Sequence, residues 1–365
     1  MHSDGLPSNG GSDSKIGLGL NLLPPFLSSL VAFLISFFVT PYVRRWAVAF
    51  GFSDRPGAHR AGPPKPRLGG VALYLAFVIA TLVISPLVAG RTSLEWQRVW
   101  GVLLGATVVF IMGVIDDRVE LGPWSQLLGQ AVGAIIAVAF GVVISQVTNP
   151  FGTALHNSMV EFPWPVAVLF TLFWIVGAMN TINFIDGLDG LAAGVTAIAA
   201  AVLAAHSLLL NQYSIAVLPL ALLGCTVGFL PHNSYPAKVT MGTSGAAFLG
   251  FALGTLSIIG GAKAATVLLV LGVPILDTAW IIFRRLFAGG SPFSADRSHL
   301  HHRLLEMGLS VRQIVLLFYG LCATFGSLAL LLSSRLLKLY TLGGMVLVLG
   351  GILALMAQKR FQKRY

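Results

Sequence analysis

Two adjacent carboxylates at the end of an apolar run are equipped for chemistry: Gly113-Val114-Ile115-Asp116-Asp117-Arg118. An acid inside a membrane helix costs about 2.5–3.5 kcal/mol on insertion scales, so such residues tend to serve a function. As a pair they can hold a divalent cation, or leave one acid poised as a base. The bland alternative is that they cap a helix end beside Arg118 in water. A second cluster places Asn180, Asn183, Asp186 and Asp189 at every third position, along one helical face or one extended turn. Gly187 and Gly190 let backbone or ligand approach closely there. Two amides and two carboxylates suit a hydroxyl-rich or metal-bound ligand. Capping of two abutting helices would account for Asp189, but not for four polar residues in phase.

The third cluster is Ser298-His299-Leu300-His301-His302-Arg303, preceded by Asp296 and Arg297. Histidines beside arginines favour phosphate binding, because a guanidinium presents a fork matched to phosphate oxygens. Zinc competes as a reading, yet thiolates are absent and the histidine spacing is not a usual zinc pattern. A solvated polar loop is the bland reading. The fourth runs from Asp54 through His59 and Arg60 to Lys65, Arg67 and Gly70, with basic residues suited to an anionic lipid head group. On its own it is weak, since basic loops beside membranes are common. The loop Pro236–Gly245 is the fifth polar stretch.

The elements that must position these clusters are membrane helices. Of 365 residues, 56% are hydrophobic and 10% charged, against about 25% charged in soluble domains. So few charges cannot clothe a water-facing surface, and lipid must solvate most of the exterior. Spanning a bilayer takes about 20 apolar residues. Candidate segments lie near 22–43, 69–89, 97–115, 126–147, 164–179, 190–210, 214–231, 244–261, 264–283, 312–333 and 338–357. The expected fold is an all-α integral membrane protein of about 10–11 transmembrane helices. Residues 1–20 read as a disordered tail, 21–358 as the membrane domain and 359–365 as a basic tail.

Of the 23 Lys and Arg residues, 17 fall on the side that carries all five polar clusters and the C-terminus. By the positive-inside rule that side is cytoplasmic, and the N-terminus lies outside. The net charge of +10 is spread over short loops and one tail, which fits topology better than a nucleic-acid partner. Cys225 and Cys322 sit in apolar stretches and read as core. A transporter would need polar residues at the midplane of several helices, whereas the clusters here gather at one face. Acids for a cation, bases for phosphates and lipid-facing helices together suit chemistry that joins a soluble phosphorylated donor to a lipid phosphate.

The order and spacing of these motifs resemble the polyprenyl-phosphate N-acetylhexosamine-1-phosphate transferases over roughly residues 25–335. Gly113–Asp117, Asn180–Gly190 and Ser298–Arg303 match that family's central motifs, and Asp54–His59 with Gly69–Gly70 its first loop. The His-Leu-His-His-Arg loop looks more like the branch using UDP-N-acetylglucosamine than the phospho-N-acetylmuramoyl-pentapeptide transferases. The resemblance implies a bacterial plasma-membrane enzyme that moves a sugar-1-phosphate from a UDP-N-acetylhexosamine to undecaprenyl phosphate. UMP is released and a cell-envelope glycan, such as lipopolysaccharide or teichoic acid, is begun. It implies Mg2+ or Mn2+ as cofactor, Asp116 and Asp117 as catalytic residues, and Asn183 as a metal ligand. By the same resemblance His59, Asn180, Asp186, Asp189, His299, His301, His302 and Arg303 bind substrate. Membrane lipids are further partners, and a homodimer is compatible with the resemblance.

Two departures stand out. The family carries Met-Gly-Asp-Thr-Gly-Ser where this chain reads Met241-Gly242-Thr243-Ser244-Gly245-Ala246, so Thr243 occupies the metal-ligand position. Gln126 stands where a basic residue is common. The alternative these raise is a homologue that binds lipid phosphate or nucleotide sugar without turnover.

Overall fold

The computed structural model describes residues 10–53, 65–149, 159–260, 264–287, 299–332 and 334–362. His59, with Asp54, Asp296, Arg297 and Ser298, lies outside the described residues.

The chain is a bundle of helices: α1 (Gly10–Ala49), α2 (Gly70–Ile84), α3 (Ser93–Val119), α4 (Pro123–Ala139), α5 (Trp164–Ile185), α6 (Leu191–Leu209), α7 (Tyr213–Asn233), α8 (Gly242–Ile259), α9 (Ala264–Val270), α10 (Gly272–Phe287), α11 (Leu300–Glu306), α12 (Val311–Leu331) and α13 (Arg335–Gln362). Eight of them are long and apolar enough to cross a membrane, and three shorter apolar helices fall in the remaining expected segments. The protein is thus an all-α, multi-pass membrane protein. Its helical backbone begins at Gly10, within the stretch expected to be a disordered tail.

Every residue of α8 is buried, which places this helix at the centre. Around it pack α3 and α5, with α2 and α6 beside them, while α1 lies outside against α2 and α7. Hydroxyls inside the apolar helices donate to the carbonyl one turn back: Thr171 to Ala167, Thr226 to Leu222 and Thr255 to Phe251. No polar group there can rely on water, so such local bonds let small hydroxyls sit among lipid-like surroundings. Capping boxes start α3 (Thr92 with Glu95) and α12 (Ser310 with Gln313).

Two expected spans are interrupted. The segment near 126–147 is helical only to Ala139, because Gly141 takes a left-handed φ of 82° and ends the helix. The chain then forms a short antiparallel pair, β1 (Gln146–Thr148) with β2 (Met159–Glu161). The segment near 264–283 divides into α9 and α10 around Leu271. Pro274 has no N–H for the Val270 carbonyl, although Ile275 still donates to Leu271 at 2.8 Å.

Candidate active site

The polar clusters meet at one end of the bundle, drawn together by the segment 65–70. Its backbone is stitched to the strand-like run before α8: Thr240 N–H donates to Pro66, Gly69 N–H to Thr240 and Gly70 N–H to Met241, each at 2.9 Å. That pairing sets the height of Lys65 and Arg67. Lys65 forms an ion pair with Asp189, and Arg67 Nε lies 2.9 Å from Asp117 Oδ1. The fourth cluster, weak on the sequence alone, is the strap that ties the first to the second.

Asp117 is a cap in tertiary form. It sits in the last turn of α3, and its side chain is wholly buried against the start of α8. Its carboxylate accepts Thr243 N–H at 2.7 Å, Ser244 N–H at 3.1 Å and Ser244 Oγ at 2.6 Å. The first N–H groups of a helix have no partner within it and carry the positive end of its dipole, so a carboxylate there is stabilised twice. With Arg67 added, four donors converge on two oxygens. Asp116 turns the other way: its Oδ1 accepts Leu121 N–H and Gln126 Nε2, both at 2.8 Å. It closes the turn after α3, as in the bland capping reading, but buried rather than in water. Arg118 takes no part, lying over the Phe52 ring and donating to Phe50 and Gly51 carbonyls.

Gly242 makes the Asp117 cap possible. Its φ is +72°, and a Cβ there would lie 2.5–2.8 Å from the Asp117 carboxylate. A left-handed alanine costs about 1–2 kcal/mol, and overpacking costs about 1–3 kcal/mol more. Gly242→Ala is therefore expected to lower the denaturation midpoint of the purified protein in detergent. An unchanged midpoint would contradict this packing.

The second cluster straddles a helix junction. Asn180 and Asn183 lie in the last turns of α5, Asp186 caps its C-terminus, and Asp189 precedes α6. Their three-residue spacing therefore follows a helix that opens into a turn. Asn180 Nδ2 donates to Gln130 Oε1 at 2.9 Å and to the Val176 carbonyl. Asp189 accepts Ala237 N–H at 3.0 Å besides pairing with Lys65. Asn183 is half-buried, and its side chain bonds to no described residue.

The third cluster is organised by a carboxylate that sequence reasoning missed. Asp277, in α10, is buried; its Oδ2 meets His299 Nδ1 at 3.1 Å and its Oδ1 accepts Leu300 N–H at 2.9 Å. The signal available was an acid inside an apolar helix. With Nδ1 committed to Asp277, Nε2 is the His299 nitrogen that a phosphate or sugar hydroxyl can meet. His301 stacks on His299 at 5.6 Å between centroids, and the His302 ring lies 4.3 Å from that of His301. Arg303 is buried beside them. At Gly187 a Cβ would lie 2.5 Å from His301 Nε2, so the second and third clusters adjoin there, and a side chain at 187 would require the His301 ring to shift.

These features define a class: a membrane-embedded enzyme whose acids, bases and imidazoles meet at one end of an apolar bundle. Residues 99–261 match Glycosyl transferase family 4. The chain is 36% identical over 323 residues to a probable undecaprenyl-phosphate N-acetylglucosaminyl 1-phosphate transferase of Bacillus subtilis (strain 168), covering 86% of each chain. It is 35% identical to a decaprenyl-phosphate N-acetylglucosaminephosphotransferase of Mycolicibacterium smegmatis, over 84% of this chain and 81% of the other. A phospho-N-acetylmuramoyl-pentapeptide-transferase of Geobacillus kaustophilus is 32% identical, over 84% and 98%. The chain belongs to the polyprenyl-phosphate sugar-1-phosphate transferases, and it is a multi-pass bacterial membrane enzyme.

The family is generally divalent-metal dependent. Position 243 does not fit that role here. Thr243 brings no charge, and its Oγ1 accepts a hydrogen bond from the Arg67 guanidinium at 2.9 Å. Among the described residues no group of three or more His, Cys, Asp and Glu is arranged to hold a metal ion.

Proposed function

We propose that this enzyme transfers N-acetylglucosamine-1-phosphate from UDP-N-acetylglucosamine to undecaprenyl phosphate at the cytoplasmic face, beginning a cell-envelope glycan. The observation that carries the reading is the convergence of Lys65, Arg67, Asp117, Asp189, His299 and Arg303 at one end of the bundle. Similarity to the Bacillus subtilis protein supports the sugar and the lipid, and the excess of basic residues on that side supports the orientation.

In the reaction a lipid-phosphate oxygen attacks the β-phosphorus of the donor. The new P–O bond forms as the bridging P–O bond to UMP breaks, and UMP leaves with the electron pair. A phosphate monoester loses its second proton near a pKa of about 6, so the attacking oxygen needs little help from a base at neutral pH. Asp117, already holding four donors, serves better as the group that positions Arg67 and the start of α8. On this reading His299 and Arg303 supply donors for phosphate oxygens, and Asn180, Asn183 and Asp186 are assigned to the sugar and nucleotide. In such reactions catalysis is chiefly positioning and charge stabilisation.

The test is UMP release by purified protein given undecaprenyl phosphate and UDP-N-acetylglucosamine. Release at several turnovers per enzyme, above that with other UDP-sugars, is the expected result. No turnover with any UDP-sugar would favour binding without catalysis, the reading that Thr243 and Gln126 motivate.

A further inference from the structure

Around position 243 the protein supplies a cation of its own. Arg67 donates through Nη2 to Thr243 Oγ1 and pairs through Nε with Asp117 Oδ1, each at 2.9 Å. One guanidinium therefore bridges a buried carboxylate and the side chain at the position where the resemblance expects a metal carboxylate. Thr243 is 6% exposed and the Arg67 side chain 24%, so the bridge is enclosed on its Asp117 side while part of the arginine stays accessible. A divalent ion on Thr243 Oγ1 would sit against a fixed positive charge that already donates to the same oxygen. An aspartate at 243 would offset that repulsion; a threonine cannot. Asp117 offers no relief, because four donors already occupy its two oxygens.

We propose that Arg67 is the cation that meets the donor pyrophosphate in this enzyme, in place of a divalent ion anchored at position 243. The inference rests on the transferase reading above. A guanidinium stays charged at any physiological pH, and its planar fork matches phosphate oxygens. Asp117 and Thr243 hold it from two sides, so little rotamer freedom remains to be lost on binding. Charge fixed in advance, where charge develops in the transition state, is the effective kind.

The experiment compares wild type, Arg67→Gln, Arg67→Lys and the double variant Arg67→Gln/Thr243→Asp, each with Mg2+ and in EDTA. Wild type is expected to retain most of its UMP release in EDTA. Arg67→Gln should lower release about 100-fold or more. Arg67→Lys, which keeps the charge but not the fork, should lower it about tenfold. The double variant should recover about tenfold or more, only with Mg2+. It should also bind one Mn2+ by electron paramagnetic resonance without substrate, where wild type does not. Complete loss of wild-type turnover in EDTA, or Arg67→Gln turnover near that of wild type, would overturn the proposal. Where Arg67→Gln does not fold, Arg67→Lys carries the comparison. If no UDP-sugar supports turnover, the transferase reading fails separately, and Arg67 is judged by UDP binding in EDTA. Affinity about tenfold weaker in the variant sustains its role, and equal affinity sinks it.

Discussion

Asp117→Ala is expected to abolish measurable turnover and to destabilise the protein by about 3–5 kcal/mol, the usual cost of removing one partner of a buried ion pair. The substitution strips Arg67 of its carboxylate and leaves Thr243 N–H, Ser244 N–H and Ser244 Oγ without an acceptor at the start of α8. Since α8 is the central helix, the damage reaches every element packed on it. Asp116→Ala makes the informative contrast. It removes two bonds, from Leu121 N–H and Gln126, each a net contribution of about 0.5–1.5 kcal/mol. Chemical denaturation of both variants in the same detergent separates the roles. A general base at position 117 would show normal stability with lost turnover, whereas a cap shows both losses together. Equal stability of the two variants would refute the cap.

Asp277→Asn is expected to lower turnover by about 10–100-fold, the usual effect of losing a carboxylate that orients an active-site imidazole. Asparagine keeps an acceptor for Leu300 N–H and nearly the same volume, so the denaturation midpoint should move little. It withdraws the charge facing His299 Nδ1 and can present its N–H₂ there, which favours the wrong imidazole tautomer. Nitrogen-15 chemical shifts of the His299 ring report that tautomer directly. The loss should appear in kcat more than in KM, because the imidazole's orientation is the property changed. A normal tautomer with full turnover would show that Asp277 is merely structural. Asp277→Ala should additionally lower stability, since the start of α11 loses its acceptor.

Much of the site was visible in residue types alone. The two aspartates, the Asn–Asp stretch and the histidine loop carry polar groups where an apolar chain has no reason to place them, and that cost makes them conspicuous. Lys65 and Arg67 were visible only as basic loop residues, because charge near a membrane has a topological explanation that hides any other. Their partners lie 124 and 176 residues away along the chain, and no local pattern links them. Asp277 was missed for a related reason. It is one acid in an apolar helix, and its partner His299 stands 22 residues on, beyond a loop.

The sequence by itself determined what lipid and water impose: an all-α bundle, most of its spans, and the gathering of polar clusters at one end. Hydrophobicity acts on residue type, so those features are local and legible. It also showed that position 243 lacks a carboxylate. Only the tertiary structure decided what stands in its place, because an ion pair depends on where a side chain ends rather than where it begins. There Asp117 caps the central helix, Asp277 aims His299, and Arg67 bridges Asp117 and Thr243 through bonds of 2.9 Å.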